Sequence, residues 1–343
     1  MRSPSRCVTP DLMSGQGEFE YIRSRLAPLS VGLPGAANLT DDGAVLSPPE
    51  GCEWAITADT LVEGRHFPLR EDPALAARKA LRVNLSDLAA MGADPHAYLA
   101  CVVWPETGRE ARMTGFADGL ALDQAEFGVH LAGGDTTSAD GPWMISITAF
   151  GAVPTGQAVR RAGAKPGDVA ILTGTIGDAG LGLLVRQGEY APNQDDAAYL
   201  DQRFTLPEPR CALSSLVRSF AHSAIDISDG LLSDARHIAH AAGVSLTLDL
   251  DKMPRSEAAE AWLSRQADRD EALMTLASMG DDYELLVTIP QDRAQAFIEA
   301  VQVLGVQASR LGEVCVSPSS TGQLVVTAEN RVLSPSSFGF THF

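Results

Sequence analysis

Six short segments of this chain place aspartate beside glycine, serine or threonine, and several follow directly on apolar runs that resemble strands. They span residues 40–43, 57–60, 84–87, 133–137, 226–230 and 280–284. Acidic turns at strand ends are poor material for a core. They suit hard cations such as Mg²⁺, which binds protein through a few carboxylates together with waters and phosphates. So many segments in one chain predict a site for several metal ions and phosphate.

Any one of these aspartates could instead cap a helix or close a turn through local hydrogen bonds. The segment 226–230 does not fit an EF-hand loop, because its glycine falls one position early and no Glu follows at the required spacing. The cation interpretation therefore depends on the whole set of segments.

The composition indicates an acidic globular protein. A chain of 343 residues predicts two domains, and 45% hydrophobic with 20% charged residues is ordinary for folded protein. A formal net charge of -18 argues against a nucleic-acid surface. Such a protein would repel a free phosphate ester, and metal ions that bridge carboxylates to phosphate oxygens would resolve this conflict.

The cysteines and histidines argue against several other kinds of site. The five cysteines are odd in number and lack CxxC spacing, which argues against a zinc knuckle or a disulfide framework and fits a reducing cytoplasm. The histidines show no HxH or HExxH spacing, and no G-x-S-x-G supports a serine nucleophile. No signal-peptide stretch follows Arg2 and Arg6, and the apolar run 97–104 is too short to span a bilayer.

Periodicity predicts the order of elements in the first half. We expect residues 1–16 to form a loose tail and residues 17–153 to form an N-terminal domain. Its strands are expected at 54–57, 97–104, 129–132 and 143–153, and its helices at 17–26, 72–92 and 110–127. Asp72 is a suitable N-cap and Pro73 a suitable first-turn residue for the second of these helices. Asn84 and Asp87 lie three residues apart on it and share one face.

The composition of the segment 154–168 indicates a domain boundary. A C-terminal α+β domain is expected to begin with this segment and to cover residues 154–343. Strands are expected at 169–173, 224–227, 245–250, 284–289, 310–314 and 323–328, and helices at 178–185, 231–241, 258–265 and 293–304. The polar, acidic stretch 187–207 predicts an excursion over the surface.

Two glycine-rich segments bear on phosphate binding. Residues 173–180 follow a strand and open a helix, whose first amides could hold phosphate. They match neither the dinucleotide fingerprint nor the P-loop, so a plain strand–helix turn is the preferred interpretation. In 133–137 two glycines would let the backbone approach a ligand closely beside Asp135.

Six motifs together resemble the thiamine-monophosphate kinase family. The stretch 57–67, TADTLVEGRHF, is similar to the family's STDTLVxGxHF, and 83–95, VNLSDLAAMGADP, matches its most recognisable run nearly letter for letter. The segments GGDTT at 133–137, RAGAKPGD at 161–168, DISDG at 226–230 and GDDYEL at 280–285 follow in family order. The resemblance covers the chain from about residue 17 onward.

The resemblance implies a two-domain fold of the aminoimidazole-ribotide-synthetase type, with an α/β domain whose sheet forms a homodimer interface, followed by an α+β domain. It implies transfer of phosphate from ATP to thiamine monophosphate. Direct transfer between two anions needs positioning and charge neutralisation rather than a covalent nucleophile, and several Mg²⁺ ions would supply that neutralisation.

The resemblance also implies roles for individual residues. The expected metal ligands are Asp42, Thr57, Ala58, Asp59, Asp87, Asp135, Asp226 and Asp229. Of these, Asp42, Asp59, Asp87, Asp135 and Asp226 are the expected catalytic acids. The expected ATP contacts are Gly134, Asp135, Arg161 and Ser228. His66 and Asp281 are expected to contact thiamine monophosphate.

Three positions depart from the family pattern. Thr40 replaces a glycine before two retained acids, and Ala58 replaces a threonine, so that only its backbone carbonyl could meet a metal. Ser337 stands where the family carries tryptophan, with Phe338 and Phe340 alongside. Phe338 is the expected replacement for that aromatic wall, although it could instead anchor the C-terminus.

Two other functions fit part of the pattern. An ATP-dependent cyclo-ligase that acts on a phosphoribosyl amidine would share the metals and ATP but differ in its acceptor pocket. A non-catalytic acidic protein that binds cations would share only the carboxylates.

Overall fold

The computed structural model of this chain describes residues 17–319, 321–335 and 338–339. The expected tail at 1–16, together with Ser337 and Phe340, lies outside the described residues. The described chain forms one four-stranded and one seven-stranded β-sheet, each covered by helices. No helix in this part of the chain combines the length and the apolar character needed to cross a membrane.

The first sheet is mixed, and its strand order is β1-β4-β2-β3. Its strands are β1 (Cys52–Val62), β2 (Asp94–Pro105), β3 (His130–Ala139) and β4 (Met144–Pro154). β4 pairs antiparallel with β1 and β2, whereas β2 and β3 are parallel. Alternate residues of β4, such as Ile145 and Ile147, are buried because successive side chains of a strand point to opposite faces.

Helices cover one face of the first sheet. They are α1 (Glu18–Tyr21), α2 (Pro73–Ala90) and α3 (Arg109–Phe127), and a π-turn at Ile22–Leu26 and 3₁₀ turns at Ala27–Ser30 and Pro34–Leu39 complete this part. As predicted, Asp72 caps α2 by accepting a hydrogen bond from the Ala74 amide at 2.8 Å, and Pro73 occupies its first turn. Trp104 and Trp143 stack at 5.6 Å in the core below.

The second sheet has the order β11-β10-β7-β9-β5-β8-β6. Its strands are β5 (Asp168–Thr173), β6 (Ser223–Asp226), β7 (Val244–Asp249), β8 (Leu285–Pro290), β9 (Ala308–Val316), β10 (Gln323–Ala328) and β11 (Arg331–Leu333). The pair β7 and β10 is parallel, and the other pairings are antiparallel.

Helices pack on both faces of the second sheet. They are α4 (Asp178–Gln187), α5 (Gln194–Thr205), α6 (Ser214–Phe220), α7 (Leu231–Ala242), α8 (Glu257–Leu263), α9 (Arg269–Ser278) and α10 (Ala294–Val303). Four 3₁₀ turns complete this part, at Arg161–Gly163, Cys211–Leu213, Leu250–Lys252 and Gln291–Arg293. On α7, Leu231, Ala235 and Ile238 are fully buried, at the spacing expected for one face of a helix.

The predicted combination of α/β and α+β architecture is confirmed, but two local predictions were wrong and three elements were not predicted. Asp59 and Asp135 lie inside strands β1 and β3, which extend beyond the predicted strand ends, rather than on turns. The stretch 187–207 contains helix α5, which buries Leu200 and Phe204 and is therefore part of the core. Helices α6 and α9 and strand β11 had no counterpart in the prediction.

Helix α2 lies between the two sheets. The Arg82 guanidinium donates to the Pro207 carbonyl at 3.0 Å, and Ala89 and Ala90 pack in the same apolar cluster as Val217 of α6. Side chains on this helix are therefore in reach of both sheets.

Candidate active site

The centre of the site is formed by β1 and α2. The Thr57 hydroxyl donates a hydrogen bond of 2.5 Å to Oδ2 of Asp87, and the Asp59 amide donates to Oδ1 of Asn84 at 3.1 Å. Asn84 is fully buried and anchors itself through the Ala80 carbonyl. The predicted shared face of Asn84 and Asp87 is thus the face that α2 turns toward β1.

The second sheet contributes Asp226, at the last residue of β6. Its Oδ2 accepts a hydrogen bond of 2.8 Å from the Ser86 hydroxyl of α2. Both side chains are buried. The structure therefore brings together acids that are separated by 139 positions in the chain, from Asp87 to Asp226.

The electrostatics of Asp59, Asp87, Asp226 and Asp229, here called the carboxylate cluster, favour a bound cation. Burial raises the pKa of Asp59 to about 6, and the charges of Asp87 and Asp229 add to the shift. Burial and the Asp87 charge raise the pKa of Asp226 well above its ordinary value. Buried carboxylates in mutual repulsion are costly unless a positive charge joins them.

Asp87 lies at the centre of this cluster. Burial raises its pKa, while hydrogen bonding from Thr57 and the positive charge of Arg161 act in the opposite direction. Arg161, on the 3₁₀ turn before β5, is therefore close enough to the cluster for its charge to be felt.

The loop after β6 arranges Asp229. The Asp234 carboxylate accepts hydrogen bonds from the amides of Ser228 and Asp229, at 3.0 and 3.1 Å. Burial and the Asp229 charge raise the pKa of Asp234 to about 7. Ligand atoms of Asp229, Asp234 and His237 lie within 4.8 Å of one another, so these three side chains could hold a metal ion.

The two residues expected to contact thiamine monophosphate are both ordered by neighbours. Nδ1 of His66 accepts a hydrogen bond of 2.9 Å from the Val62 amide, which orients the ring at the end of β1. Asp281 adopts a φ of 69° and bonds through its side chain to Lys79 at 3.0 Å and to Tyr283 at 3.2 Å.

Asp42 and Asp135 lie apart from the carboxylate cluster. Both are exposed, and within the described ranges no hydrogen bond or ion pair joins either one to the cluster. Asp42 lies in a bend where its amide bonds to Asp41, whereas Asp135 lies on β3, at the sheet edge opposite β1. Beside it, a Cβ on Gly134 would lie 1.9 Å from the Ala100 carbonyl oxygen, so only glycine fits there.

The side chains of Ala58 and Phe338 make no contact with the carboxylate cluster that is recorded among the described residues. Ala58 alternates with Thr57 and Asp59 along β1, so its side chain points to the opposite face of the sheet. Phe338 packs partly buried against the core of the second sheet, with the Arg236 guanidinium 4.5 Å from its ring centre.

The glycine-rich turn at 173–180 agrees with the plain structural interpretation. The amides of Gly177 and Ala179, at the start of α4, donate to the buried carboxylate of Asp282 at 2.8 and 3.2 Å. The protein's own acid therefore occupies the donors that could have held a phosphate.

Sequence reasoning assigned no role to Ser86, Lys79 or Tyr283, which hold the acids in place. A signal was present for the helical pair, because Lys79 and Ser86 are polar residues on a helix whose neighbours are mostly apolar. Their partners, Asp281 and Asp226, are too distant in the chain for a local pattern to reveal.

Comparison with known proteins first defines the class. The family model for the N-terminal domain of AIR synthase related proteins matches residues 40–153, and the model for the C-terminal domain matches residues 165–325. A thiamine-monophosphate kinase from Caulobacter vibrioides is 42% identical over 325 residues, which cover 95% of this chain and 90% of the relative. The Escherichia coli K12 thiamine-monophosphate kinase is 40% identical, with 86% and 87% covered.

Solved structures give the same result. The thiamine-monophosphate kinase from Stenotrophomonas maltophilia superimposes with a TM-score of 0.75 at 37% identity, with 86% of this chain and 91% of that chain covered. AaThiL complexed with AMPPCP and TMP superimposes with a TM-score of 0.73 at 28% identity, with 88% and 91% covered. The chain belongs to the thiamine-monophosphate kinase family and is therefore an enzyme, a phosphotransferase.

Proposed function

We propose that this enzyme transfers the γ-phosphoryl group of ATP directly to the phosphate of thiamine monophosphate, which yields ADP and thiamine diphosphate. The observation that carries the proposal is the carboxylate cluster, which combines acids from both sheets around α2 in a chain 42% identical to a thiamine-monophosphate kinase. The complex of AaThiL with AMPPCP and TMP supports the same pair of substrates.

The oxygen atoms of the carboxylate cluster and of the neighbouring Thr57 hydroxyl fit Mg²⁺, because all of them are hard ligands. We assign Mg²⁺ to Asp42, Thr57, the Ala58 carbonyl, Asp59, Asp87, Asp135, Asp226 and Asp229. Bound there, Mg²⁺ would neutralise the phosphate charges of the two substrates. The raised pKa values of Asp59 and Asp226 fit this assignment, since a cation removes the repulsion that causes part of each shift.

The remaining assignments concern the two substrates. Gly134, Asp135, Arg161 and Ser228 would contact ATP. Gly134 is exposed beside Asp135, and Arg161 adds positive charge beside Asp87. His66, Asp281 and Phe338 would contact thiamine monophosphate. With both substrates held in this way, the acceptor phosphate oxygen attacks the γ-phosphorus in line, and the P–O bond to ADP breaks.

We further propose a homodimer built on the first sheet. Trp54, His96 and Phe150 cluster on the sheet with ring centres 5.1 and 6.2 Å apart, and Ile56 beside them is 55% exposed. Cross-strand pairing runs from Asp59 through Ile147 and Ala100 to Gly134. Three strand spacings of about 4.8 Å thus separate Asp59 from the Asp135 edge. A second copy could bring its own β3 edge to β1, as expected for the common two-fold assembly.

Two further expectations remain part of the proposal. The division into an N-terminal domain at 17–153 and a C-terminal domain at 154–343 follows the two sheets, and the cysteine content fits a cytoplasmic location.

Light scattering at micromolar concentration would test the proposed homodimer, and a monomer mass would contradict it.

An activity assay tests the function. Purified protein with ATP and Mg²⁺ should form thiamine diphosphate and ADP in equal amounts when thiamine monophosphate is added. Neither product should form when the metal is chelated. A phosphoribosyl amidine serves as the comparison acceptor. Turnover of that amidine in place of thiamine monophosphate would support the cyclo-ligase alternative, and no turnover with either would contradict both enzymatic assignments.

A further inference from the structure

A buried lysine of α2 contacts one of the proposed substrate residues. The side chain of Lys79 is only 3% exposed, and its Nζ lies 3.0 Å from Oδ2 of Asp281. The same ammonium group sits 3.8 Å above the ring centre of Phe204 on α5. A buried ammonium is costly unless it is paired, and the Asp281 carboxylate provides the pairing charge.

Asp281 is fixed at both carboxylate oxygens. Tyr283 donates from its hydroxyl to Oδ1 at 3.2 Å, while Oδ2 takes the lysine. The backbone is restrained as well, since the Asp281 amide donates to the Ser228 carbonyl at 2.9 Å and φ lies at 69°, where a non-glycine residue needs support from its surroundings.

The carboxylate nevertheless remains available to a ligand. The Asp281 side chain is 32% exposed, and each carboxylate oxygen can accept more than one hydrogen bond. An acceptor that is orientated by two donors and still open to solvent is suited to recognition, because its direction does not have to be ordered when the ligand binds.

Lys79 also lies on the helix that carries Asp87. The two lie eight positions apart on α2, which corresponds to about 12 Å along the axis. Tyr283 is close to the same region, since the charges of Asp281, Asp59 and Asp226 all help to raise its pKa, after burial. The lysine therefore ties Asp281 of the second sheet to the element that bears the carboxylate cluster.

We propose that Lys79 is a positioning residue for the acceptor substrate. Together with Tyr283 it holds the Asp281 carboxylate in the direction needed to bind thiamine monophosphate, and it does not itself touch the substrate or the transferred phosphoryl group. This inference rests on the proposed function, in which Asp281 contacts the acceptor. The ordinary alternative is that the ion pair only ties the two sheets together, in which case its loss would affect both substrates alike or only the stability.

The Lys79→Met variant tests the proposal because Met keeps an unbranched side chain only one atom shorter and removes the charge. The KM for thiamine monophosphate should rise about tenfold, as expected when a hydrogen bond to a charged group is lost, while the KM for ATP stays within about twofold. Lys252→Met is the matched control, since Lys252 is an exposed lysine paired with Asp249 on a short 3₁₀ turn. Its two KM values should equal those of the wild type.

Two further variants keep the proposal testable if Lys79→Met folds poorly by circular dichroism. Tyr283→Phe removes only the second donor to Asp281, and should raise the KM for thiamine monophosphate more than that for ATP. In an Asp281→Asn background, Lys79→Met should change the KM for thiamine monophosphate by less than about twofold, because residues that act through one another are not additive.

Equal increases of both KM values, unchanged kinetics, or full additivity with Asp281→Asn would each overturn the positioning role. The outcome differs from a failure of the proposed function. If wild-type protein shows neither turnover nor calorimetric binding of thiamine monophosphate, the function and this inference both fail. If the wild type is active and only the variants behave otherwise than expected, the inference alone fails.

Discussion

The Ser86 hydroxyl donates a hydrogen bond of 2.8 Å to the Asp226 carboxylate, and this contact joins α2 to the end of β6. Both side chains are buried, and Ser86 directly precedes Asp87 in the chain. The hydrogen bond lowers the pKa of Asp226 and so works against the large upward shift caused by burial. Ser86 thereby links the position of one proposed metal ligand to that of another.

Replacement of this serine should weaken metal binding. In Ser86→Ala, Asp226 loses a hydrogen bond that stabilises its charged form, so the Mg²⁺ concentration for half-maximal activity should rise about tenfold. A Mg²⁺ titration of the rate measures this. Ser264→Ala is the control, because the Ser264 hydroxyl caps only the exposed end of α8. An unchanged Mg²⁺ dependence in Ser86→Ala would contradict the assignment of Asp226 as a metal ligand that Ser86 supports.

Asp87→Asn should remove activity while the fold persists. The amide retains an acceptor for the Thr57 hydroxyl but loses the charge at the centre of the carboxylate cluster, so kcat should fall about 10²-fold or more. Asp135→Asn should do the same from the edge strand. Steady-state kinetics with a thermal unfolding scan separates catalysis from stability, and the exposed Asp195→Asn is the control. Full activity in a variant would remove that residue from the proposed machinery.

The metal-free protein should lose stability as pH rises. Burial, with the Asp87 and Asp229 charges, raises the pKa of Asp59 to about 6, and the pKa of Asp226 lies well above its ordinary value. In the unfolded chain the pKa of an aspartate is about 3.9. Between that pH and the raised pKa of each group, the folded state therefore binds more protons than the unfolded state. Asp59 therefore contributes stability that is fully present below about pH 4 and is lost as pH rises through 6, and the contribution of Asp226 is lost as pH rises through its own raised pKa.

Thermal unfolding in chelator at several pH values checks this dependence. Asp226→Asn has no proton to release, so its Tm should exceed that of the wild type at pH 8 and approach it at pH 5. Mg²⁺ should raise the wild-type Tm at pH 8 more than that of the variant. Parallel pH profiles for the two proteins without metal would contradict the expected linkage.

Transfer should proceed without a phosphorylated enzyme. Burial raises the pKa of the Cys211 thiol to about 12, which removes the thiolate needed for attack, and no serine stands in a nucleophile motif. Incubation with γ-labelled ATP in the absence of acceptor should leave the protein unlabelled. A stoichiometric label that survives acid or base treatment would instead demonstrate a covalent intermediate.

Phe338 should contribute to binding of the thiamine rings. The thiazolium is a cation, and an aromatic face attracts a cation by about 0.5–2 kcal/mol. Phe338→Ala should raise the KM for thiamine monophosphate several-fold and leave that for ATP nearly unchanged. The ring already faces Arg236 at 4.5 Å and packs against the core, so an anchoring role is the competing outcome. Equal effects on both substrates, or lost folding, would favour anchoring.

The sequence by itself determined the order of most helices and strands, because periodicity and caps are local. Helix α2 was expected from Asp72 and Pro73, and the common face of Asn84 and Asp87 followed from helical spacing alone. The ordered motifs from 57–67 to 280–285 identified the family, because they are read along the chain. Local patterns failed where a strand continued past its apolar run, as at Asp59 and Asp135.

Only the tertiary structure decided which acids meet. The order β1-β4-β2-β3 separates Asp135 from Asp59, although both belong to similar motifs. Ser86 reaches Asp226 across 140 positions, and Lys79 reaches Asp281 across 202. Spacing along a chain specifies neighbours within one helix or strand, whereas strand order and the packing of α2 between two sheets depend on burial of apolar surface over the whole molecule.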